Sequence, residues 1–275
     1  MHLKTMKHLK LFESFKEEDI RAICQKYEIE NYIINEDGSI DVDGSVKLTN
    51  MYLTKLPLKF RNVTGYFACN YNLLSSLEGC PKSVGDTFYC WHNQLTSLKG
   101  CPKLVGNDFR CDYNQLTSLE GAPQSVGGYF MCESNQLTSL EGCPEKVGGG
   151  FFCGYNNLTS LEGCPESVGG NFNCHGNQLT SLEGCPKSVG HDFCCTRNKI
   201  VTFEHLPLIG STFYCEGNPI YHIWKLFRDY DKIEFLNDCD ALREPNIVIL
   251  DRLNYFLEEI GKPKVTRVYG YQCLK

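Results

Sequence analysis

Cysteine is the residue type with the most chemical potential in this chain, which has 275 residues and seventeen cysteines. Thiols at this density could form disulfides, hold a metal or fill a core. Disulfide frameworks are typical of small secreted chains with even cysteine counts, whereas the count here is odd. Most of the cysteines instead recur at a fixed interval. One column is Cys69, Cys90, Cys111, Cys132, Cys153, Cys174, Cys195 and Cys215, and a second is Cys80, Cys101, Cys143, Cys164 and Cys185. Ala122 takes the second-column position in one repeat, which indicates that the position needs a small apolar residue and not a bond.

Metal binding is the competing interpretation of the cysteines. A structural zinc or an iron–sulfur cluster needs a closed set of about four ligands at short spacing. The chain has no Cys-x-x-Cys pair, and Cys194 and Cys195 are adjacent, with Cys194 at an outward strand position. We therefore predict a ladder of reduced cysteines, with no metal and no cofactor. Stoichiometric zinc or iron in the purified protein would contradict this prediction.

The other residues that could do chemistry do not form a recognisable catalytic set. His92 and His175 take outward positions several repeats apart, without a paired carboxylate in register. Cys239 is better explained by helix packing, and the segment 41–44 (Asp-x-Asp-Gly) is a fragment of a calcium loop that lacks the remaining ligands. No phosphate-binding loop, nucleophile elbow or His-Glu-x-x-His motif occurs. We predict that the protein is not an enzyme.

A repeat positions these residues. Its asparagines are twenty-one residues apart at Asn72, Asn93, Asn114, Asn135, Asn156, Asn177 and Asn198, and the last, Asn218, follows after twenty. The shared template is Phe-x-Cys-x-x-Asn-x-Leu-x-x-Leu-x-Gly-Cys-Pro-x-x-Val-Gly. A fixed period in the twenties is typical of a solenoid, in which each repeat is one coil and neighbouring coils share a core.

Within one coil, the alternation of residues predicts a strand with one buried face. Phe88 and Cys90 alternate with Tyr89 and Trp91, and stacked coils would place such strands side by side in a parallel sheet about 4.8 Å apart. The residues expected to face the core are Phe88, Cys90, Leu95, Leu98 and Val105. The asparagines are expected to form a buried ladder that hydrogen-bonds the backbone groups left unpaired where the chain leaves the strand.

The template resembles the leucine-rich repeat, whose core is Leu-x-Leu-x-x-Asn-x-Leu, with Phe and Cys in place of two leucines. The Asn-Gln-Leu-Thr-Ser-Leu run at 93–98 is similar to the short bacterial subtype found in secreted effectors. The Gly-Cys-Pro-x-x-Val-Gly half resembles uncharacterised leucine-rich repeat proteins of tailed bacteriophages. This resemblance implies an α/β solenoid with a parallel sheet on the concave face, an irregular convex side and helical caps. Some effector relatives carry a ubiquitin-ligase domain after the repeats, but the segment after Asn218 is too short for one.

Three domains are predicted. Residues 1–45 form an N-terminal cap, with helical spacing and then a hairpin around the turn at 35–38. The helical spacing comes from Leu11, Phe12, Phe15, Ile20, Ile23 and Tyr27. Residues 46–219 form the solenoid, because the Val-x-Leu at 46–48 is in register with the Phe-x-Cys at 67–69. Residues 220–275 form a helical C-terminal cap that ends in a strand-like tail at 265–271.

Composition limits the partners. The net charge is −6, which argues against a nucleic-acid-binding surface, since phosphate contacts need clustered Lys and Arg. No apolar run approaches the roughly twenty residues of a membrane span, and the N-terminus lacks the apolar region of a secretory signal. We expect a cytoplasmic protein that binds neither nucleic acid nor membrane. If the phage resemblance holds, the compartment is the cytoplasm of an infected bacterium.

The functional surface is predicted from positions that differ between repeats, because a position that is free to vary does not serve the coil. Three such columns lie along the outward side of the strand and just after it, and they are rich in the aromatic residues and arginine that favour interface centres. The predicted protein-binding residues are Tyr71, Tyr89, Trp91, His92, Arg110, Tyr113, Met131, Phe152, Tyr155, Asn173, His175 and Tyr214. The alternative is that a cap, or a second copy of the chain in a homodimer, covers this face.

These observations predict a non-enzymatic protein–protein interaction module, in this case a phage-encoded cytosolic factor that binds a host or viral protein through the concave face. A virion-associated structural or scaffolding protein is the alternative, and an effector-type enzyme is the third candidate. Regular Thr-Ser pairs such as Thr96-Ser97 also occur on ice-binding solenoids, although here they belong to the turn after the asparagine.

Overall fold

The structure, a computed structural model, describes residues 16–243 and 246–275. The predicted helical positions Leu11, Phe12 and Phe15 lie outside these residues. The described chain begins with helix α1 (Glu17–Lys26), whose first turn carries Glu17, Glu18 and Asp19 at the end where anions are favoured. Ile20 and Cys24 of this helix are buried in the core.

The N-terminal hairpin leads directly into the first of two long sheets. Strands β1 (Tyr32–Ile34) and β2 (Ile40–Val42) pair antiparallel, and β2 pairs in parallel with β4. We call this sheet the Val sheet. Its remaining strands are β4 (Phe60–Val63), β6 (Ser83–Val84), β8 (Leu104–Val105), β10 (Ser125–Val126), β12 (Lys146–Val147), β14 (Ser167–Val168), β16 (Ser188–Val189) and β18 (Leu208–Ile209).

The second sheet, here called the Phe sheet, is parallel throughout. It consists of β3 (Val46–Lys47), β5 (Phe67–Ala68), β7 (Phe88–Tyr89), β9 (Phe109–Arg110), β11 (Phe130–Met131), β13 (Phe151–Phe152), β15 (Phe172–Asn173), β17 (Phe193–Cys194) and β19 (Phe213–Tyr214). Each coil contributes one strand to each sheet, with three residues at the corner between them, as at 85–87. The chain is therefore a solenoid of stacked coils, as its period predicts.

The prediction of an irregular convex side is wrong for the residues that form the Val sheet. Coils of constant length place each Ser–Val pair at the same height as its copy in the next coil, so an extended pair finds backbone partners there. Ser125 thus lies opposite Lys146, and Val126 opposite Val147. The rest of the return path, such as 94–103, contains neither strand nor helix, as the proline in each coil leads one to expect.

The core between the sheets is a column of phenylalanine rings flanked by leucines and cysteines. Phe88, Cys90, Leu95 and Leu98 are fully buried, and Val105 is buried as well, as predicted. Successive rings stack along the solenoid axis, for example Phe109 and Phe130 with centroids 5.4 Å apart. Stacking of identical rings in every coil fixes both the rise and the register of the Phe sheet.

The asparagines form the predicted ladder. Asn135 donates from Nδ2 to the carbonyl oxygens of Cys111 and Cys132, both at 3.1 Å. Its Oδ1 accepts from the backbone N–H of Leu116 at 3.0 Å. With a further bond from Nδ2 to the carbonyl of Glu133 at 3.2 Å, Asn135 satisfies four backbone groups in two coils, which is what a buried turn without sheet partners requires.

The cysteines are unpaired, and most are buried. Those of the first column fill space between the phenylalanines. Four of the second column, Cys101, Cys143, Cys164 and Cys185, donate from Sγ to a carbonyl of the next coil, as Cys143 does to Gly163 at 2.9 Å. Burial raises the pKa of the Cys101 and Cys143 thiols to about 12, so these groups stay protonated and unreactive near neutral pH. No cluster of metal-ligating side chains is found in the described part of the chain.

The C-terminal segment combines three short helices with a three-stranded sheet and packs on the last coils. It contains α2 (Tyr221–Phe227), a 3-10 turn (Tyr230–Lys232), α3 (Ile233–Asp238), β20 (Leu242–Arg243), β21 (Ile247–Ile249), α4 (Leu250–Glu259) and β22 (Gln272–Leu274). Trp224 contacts Phe213 of the last Phe-sheet strand, with ring centroids 5.3 Å apart. The predicted tail at 265–271 is not a strand; the strand begins at Gln272 and pairs with β21. The domain boundaries at 45/46 and 219/220 stay predictions.

Candidate binding surface on the Phe sheet

All twelve residues predicted for binding lie outside the buried core. Tyr71, Tyr113, Tyr155 and Tyr214 are 40–50% exposed, and the remainder are half-buried against one another. We call the outer side of the Phe sheet, together with the two residues after each of its strands, the Phe-sheet surface. The side chains on it come from many coils, and the regular rise of the solenoid brings equivalent positions within contact distance.

Three rings from successive coils form a stack at the edge of this surface. Tyr71 lies over His92 with centroids 4.7 Å apart and planes 10° apart, and His92 lies over Tyr113 at 4.4 Å and 8°. The separations are close to the coil rise, so the ring planes follow the solenoid axis one coil at a time. The stack stops at Tyr113 because the next coil has Ser134 at the equivalent position, which leaves one face of the Tyr113 ring without a ring against it.

The residues of this stack have left-handed backbone conformations. φ is 54° at Tyr71, 50° at His92, 53° at Tyr113, 53° at Ser134 and 52° at Tyr155. Later coils place Gly176 and Gly217 at the same position, with φ of 65° and 78°. Glycine adopts this conformation freely, whereas bulky residues rarely do, so the tyrosines and the histidine impose local strain of about 1 kcal/mol each.

An arginine sandwiched between a ring and a carboxylate lies beside the stack. The Arg110 guanidinium is 4.5 Å from the centroid of the Trp91 ring. It also binds Asp112 through two hydrogen bonds, from Nε to Oδ1 at 3.2 Å and from Nη2 to Oδ2 at 3.0 Å. Asp112 is only 2% exposed, so the buried carboxylate has its countercharge in place.

The next carboxylate along the same column, that of Glu133, has no such partner. It is half-buried, and no hydrogen bond to its carboxylate is found among the described residues. Burial raises the pKa of the Glu133 carboxyl, and the neighbouring Asp112 raises that pKa further. The nearest basic atom in an ion-pair geometry is Nδ1 of His175, at 3.8 Å from Oε1, which is beyond hydrogen-bond distance.

His175 reaches Glu133 across a glycine. A Cβ at Gly154 would lie 2.5 Å from the His175 ring and 3.1 Å from Glu133 Oε1, so the absent side chain makes room for both. His175 Nδ1 lies 2.6 Å from Asn173 Oδ1 and donates to it. Burial lowers the pKa of His175, and Arg197 lowers that pKa further. The imidazole is therefore neutral near pH 7 and does not offset the charge of Glu133.

The other predicted residues extend the surface in both directions. Met131 lies opposite Arg110 and Phe152 in the sheet, and Phe152 contacts Tyr129 with centroids 5.9 Å apart. Tyr155 packs edge-on against His175 at 4.2 Å, and its hydroxyl accepts from Arg197 at 3.5 Å. Tyr89 contacts Tyr66 at the opposite side of the surface. Tyr214 lies on the last strand, three strands beyond Phe152.

Sequence reasoning missed Asp112, Glu133 and Gly154 as site residues. All three belong to one of the three variable columns, but they were not among the residues singled out there, because charged residues are depleted at interface centres and glycine has no side chain. The signal that could have found them is their place in the column, since these three residues lie in successive coils between Trp91 and His175.

Comparisons with known proteins add little to this geometry. No family model and no curated protein matches the sequence. Among solved structures, the chain is similar to YopM from Yersinia enterocolitica WA-314, with 14% identity over 64% of this chain and 56% of that chain. The TM-score of 0.27 is too low to carry an argument about fold or function. The described residues contain no helix long and apolar enough to span a membrane.

Proposed function

We propose that this protein is a non-enzymatic module that binds a partner protein through the Phe-sheet surface. The observation that carries the proposal is the left-handed column occupied by Tyr71, His92, Tyr113 and Tyr155, where the coil also accepts glycine. Strained positions kept by bulky side chains indicate that the side chains have a task other than stabilising the coil. Stacked, partly exposed aromatics next to an arginine are the composition of an interface centre.

The finer form of the proposal follows the sequence resemblance. The Gly-Cys-Pro-x-x-Val-Gly half of the repeat is similar to leucine-rich repeat proteins of tailed bacteriophages, which supports a phage-encoded factor acting in the cytoplasm of the infected cell on a host or viral protein. A virion-associated scaffolding role is the second candidate. Its support is the column regularity of the coils, which favours lateral assembly with other repetitive surfaces.

The test is the double substitution Trp91→Ala with Phe152→Ala. Both side chains lie outside the core, so the fold should survive, and binding should weaken by a few kcal/mol, the usual scale for two truncations at an interface centre. The matched control is Leu104→Ala with Leu208→Ala, which removes two apolar side chains of the Val sheet that are 65% and 72% exposed.

The readout is capture of a stoichiometric protein from infected-cell lysate by each variant, with melting temperatures measured in parallel. The parent and the control should retain the same protein, and the Phe-sheet variant should lose it. Co-purification with virus particles would favour the scaffolding role. Undiminished capture by a folded Trp91→Ala/Phe152→Ala variant would remove the Phe-sheet surface as the binding site.

A further inference from the structure

The Phe-sheet surface contains a gap between two tyrosines that has a defined shape and charge. Ser134 lies between Tyr113 and Tyr155, which are two coils apart, or about 10 Å along the axis. Tyr155 leans away from the gap, since a Cβ at Gly176 would lie 2.8 Å from its ring. The gap is therefore open to solvent, with the free face of the Tyr113 ring as one wall. We call it the Ser134 slot.

The carboxylate beside the slot, that of Glu133, accepts no hydrogen bond from the described residues. Glu133 precedes Ser134 in the chain, and its Oε1 is directed towards Gly154, next to Tyr155. The nearby basic groups are all engaged elsewhere: Arg110 is bound by Asp112, Arg197 lies against Tyr155, and the neutral His175 donates to Asn173. The Glu133 side chain is 26% exposed, so water can donate to it. A ligand guanidinium that replaces this water supplies charge-assisted hydrogen bonds, which are stronger than those of a neutral donor.

The preceding coil shows which side chain fits between an aromatic ring and a carboxylate on this surface. One coil earlier, the Arg110 guanidinium lies on the Trp91 ring and forms two hydrogen bonds with Asp112. The slot also has a ring and a carboxylate, without a guanidinium between them. Its carboxylate, Glu133, stands at the repeat position of Asp112, but its ring, Tyr113, stands one position later in the repeat than Trp91. Ser134 occupies the position at the slot, but its side chain is too short to reach the Tyr113 ring or the Glu133 carboxylate.

We propose that the Ser134 slot receives an arginine side chain of the partner protein, which stacks on Tyr113 and pairs with Glu133. This inference rests on the proposed function and identifies its recognition element. Arginine fits better than lysine because its planar guanidinium matches both a ring face and a two-oxygen acceptor, whereas an ammonium group matches neither shape. Stacking on the open end of the Tyr71–His92–Tyr113 column continues a geometry that the coil rise already imposes.

The first experiment uses N-acetyl-arginine-methylamide as the probe, titrated against the labelled protein and followed by NMR. The amide signals of Ser134 and Glu133 should shift, and the citrulline analogue, which is neutral and of the same shape, should bind at least about ten-fold more weakly. Equal shifts with the arginine and citrulline probes, or shifts confined to other residues, would overturn the proposal.

Two variants test the slot from opposite sides. Glu133→Gln removes the charge and keeps the shape, and Ser134→Tyr places a ring in the slot at a backbone conformation that Tyr113 and Tyr155 already adopt. Each should reduce probe binding at least about ten-fold. Glu141→Gln and Thr138→Tyr, both at exposed positions, are the matched controls and should bind like the parent.

The same variants separate the slot from the wider proposal when the captured protein is the readout. If Glu133→Gln and Ser134→Tyr both keep the protein that Trp91→Ala/Phe152→Ala loses, the slot is not the recognition element and the Phe-sheet surface still is. If all three variants keep it, both proposals fail. If all three lose it while the controls keep it, both stand.

Discussion

The two sheets of this solenoid are built by the same coils, yet their outer surfaces differ in kind. On the Val sheet, the outward position is serine in four coils, at Ser83, Ser125, Ser167 and Ser188, and none of the strands there carries an outward aromatic residue between Ser83 and Leu208. On the Phe sheet, almost every coil presents a different side chain, and neighbours contact one another through rings, ion pairs and hydrogen bonds. Since coil rise, strand length and pairing are shared, scaffold geometry does not explain the difference. The binding role proposed for the Phe-sheet surface accounts for it.

The glycines of the two sheets also differ in what their missing side chain makes room for. At Gly169, beside the Val sheet, a Cβ would lie 2.1 Å from the carbonyl oxygen of Gly148, so the missing side chain lets the coils approach. At Gly154, on the Phe sheet, a Cβ would instead meet the His175 ring and Glu133. One glycine serves the packing of the solenoid, and the other serves the arrangement of the side chains on its surface.

The largest expected effect comes from breaking the ladder on which both sheets depend. Asn135→Leu leaves the N–H of Leu116 without a partner. It also removes one of the two asparagine donors from each of the Cys111 and Cys132 carbonyls, which keep Asn114 and Asn156. An orphaned buried group costs about 1–3 kcal/mol and each further lost hydrogen bond about 1 kcal/mol, so we expect the free energy of unfolding to fall by about 3 kcal/mol. Urea denaturation measures it, with the exposed neighbour Gln136→Leu as the control. A loss below about 1 kcal/mol would show that the ladder is not what holds the turns.

The next largest expected effect is a difference in stability between alanine substitutions at the two glycines. Gly169→Ala forces backbone apart and should cost about 2 kcal/mol, the usual cost of overpacking. Gly154→Ala only requires the His175 side chain to swing out, and alanine also narrows the unfolded ensemble, so stability should stay within about 1 kcal/mol of the parent. Thermal unfolding of the two variants compares them directly. Equal losses would mean that the Phe-sheet glycine also serves the packing of the coils.

The smallest expected effect is a gain in stability at the site. Because burial raises the pKa of Glu133 in the folded chain, the ionised carboxylate opposes folding. The stability that the protonated carboxyl group allows is fully present below the unfolded pKa, near 4.5. That stability is lost as the pH rises through the folded pKa, because the group must then ionise in its half-buried place. Glu133→Gln should therefore be more stable than the parent at pH 7, by up to about 1 kcal/mol, and the difference should shrink towards pH 4.

Denaturation of Glu133→Gln across this pH range, beside the exposed control Glu141→Gln, tests that prediction. A variant that is less stable than the parent at pH 7 would show that Glu133 has an internal partner and serves the fold. A variant that is more stable but fails to bind would mark Glu133 as a residue that the chain keeps for its ligand at the expense of stability.

The repeat made most of the scaffold predictable from the sequence. A fixed interval places Phe88, Cys90, Leu95 and Asn93 at equivalent heights in every coil, so core, ladder and Phe sheet follow from one template. The Val sheet was not predicted, because a two-residue strand carries almost no periodicity of its own. It forms because stacking brings each pair to its copy in the next coil, which is a property of the assembled solenoid.

For the candidate site, the sequence determined which positions were free to vary and that they would share one surface. It could not show which side chains meet, because that depends on ring orientation, on the left-handed backbone after each strand and on the room left by Gly154. The tertiary structure alone decided that Arg110 is bound by Asp112 while Glu133 is left without a donor. The two carboxylates stand at the same position of the repeat, but only the first has an arginine two residues before it on the same face of its strand.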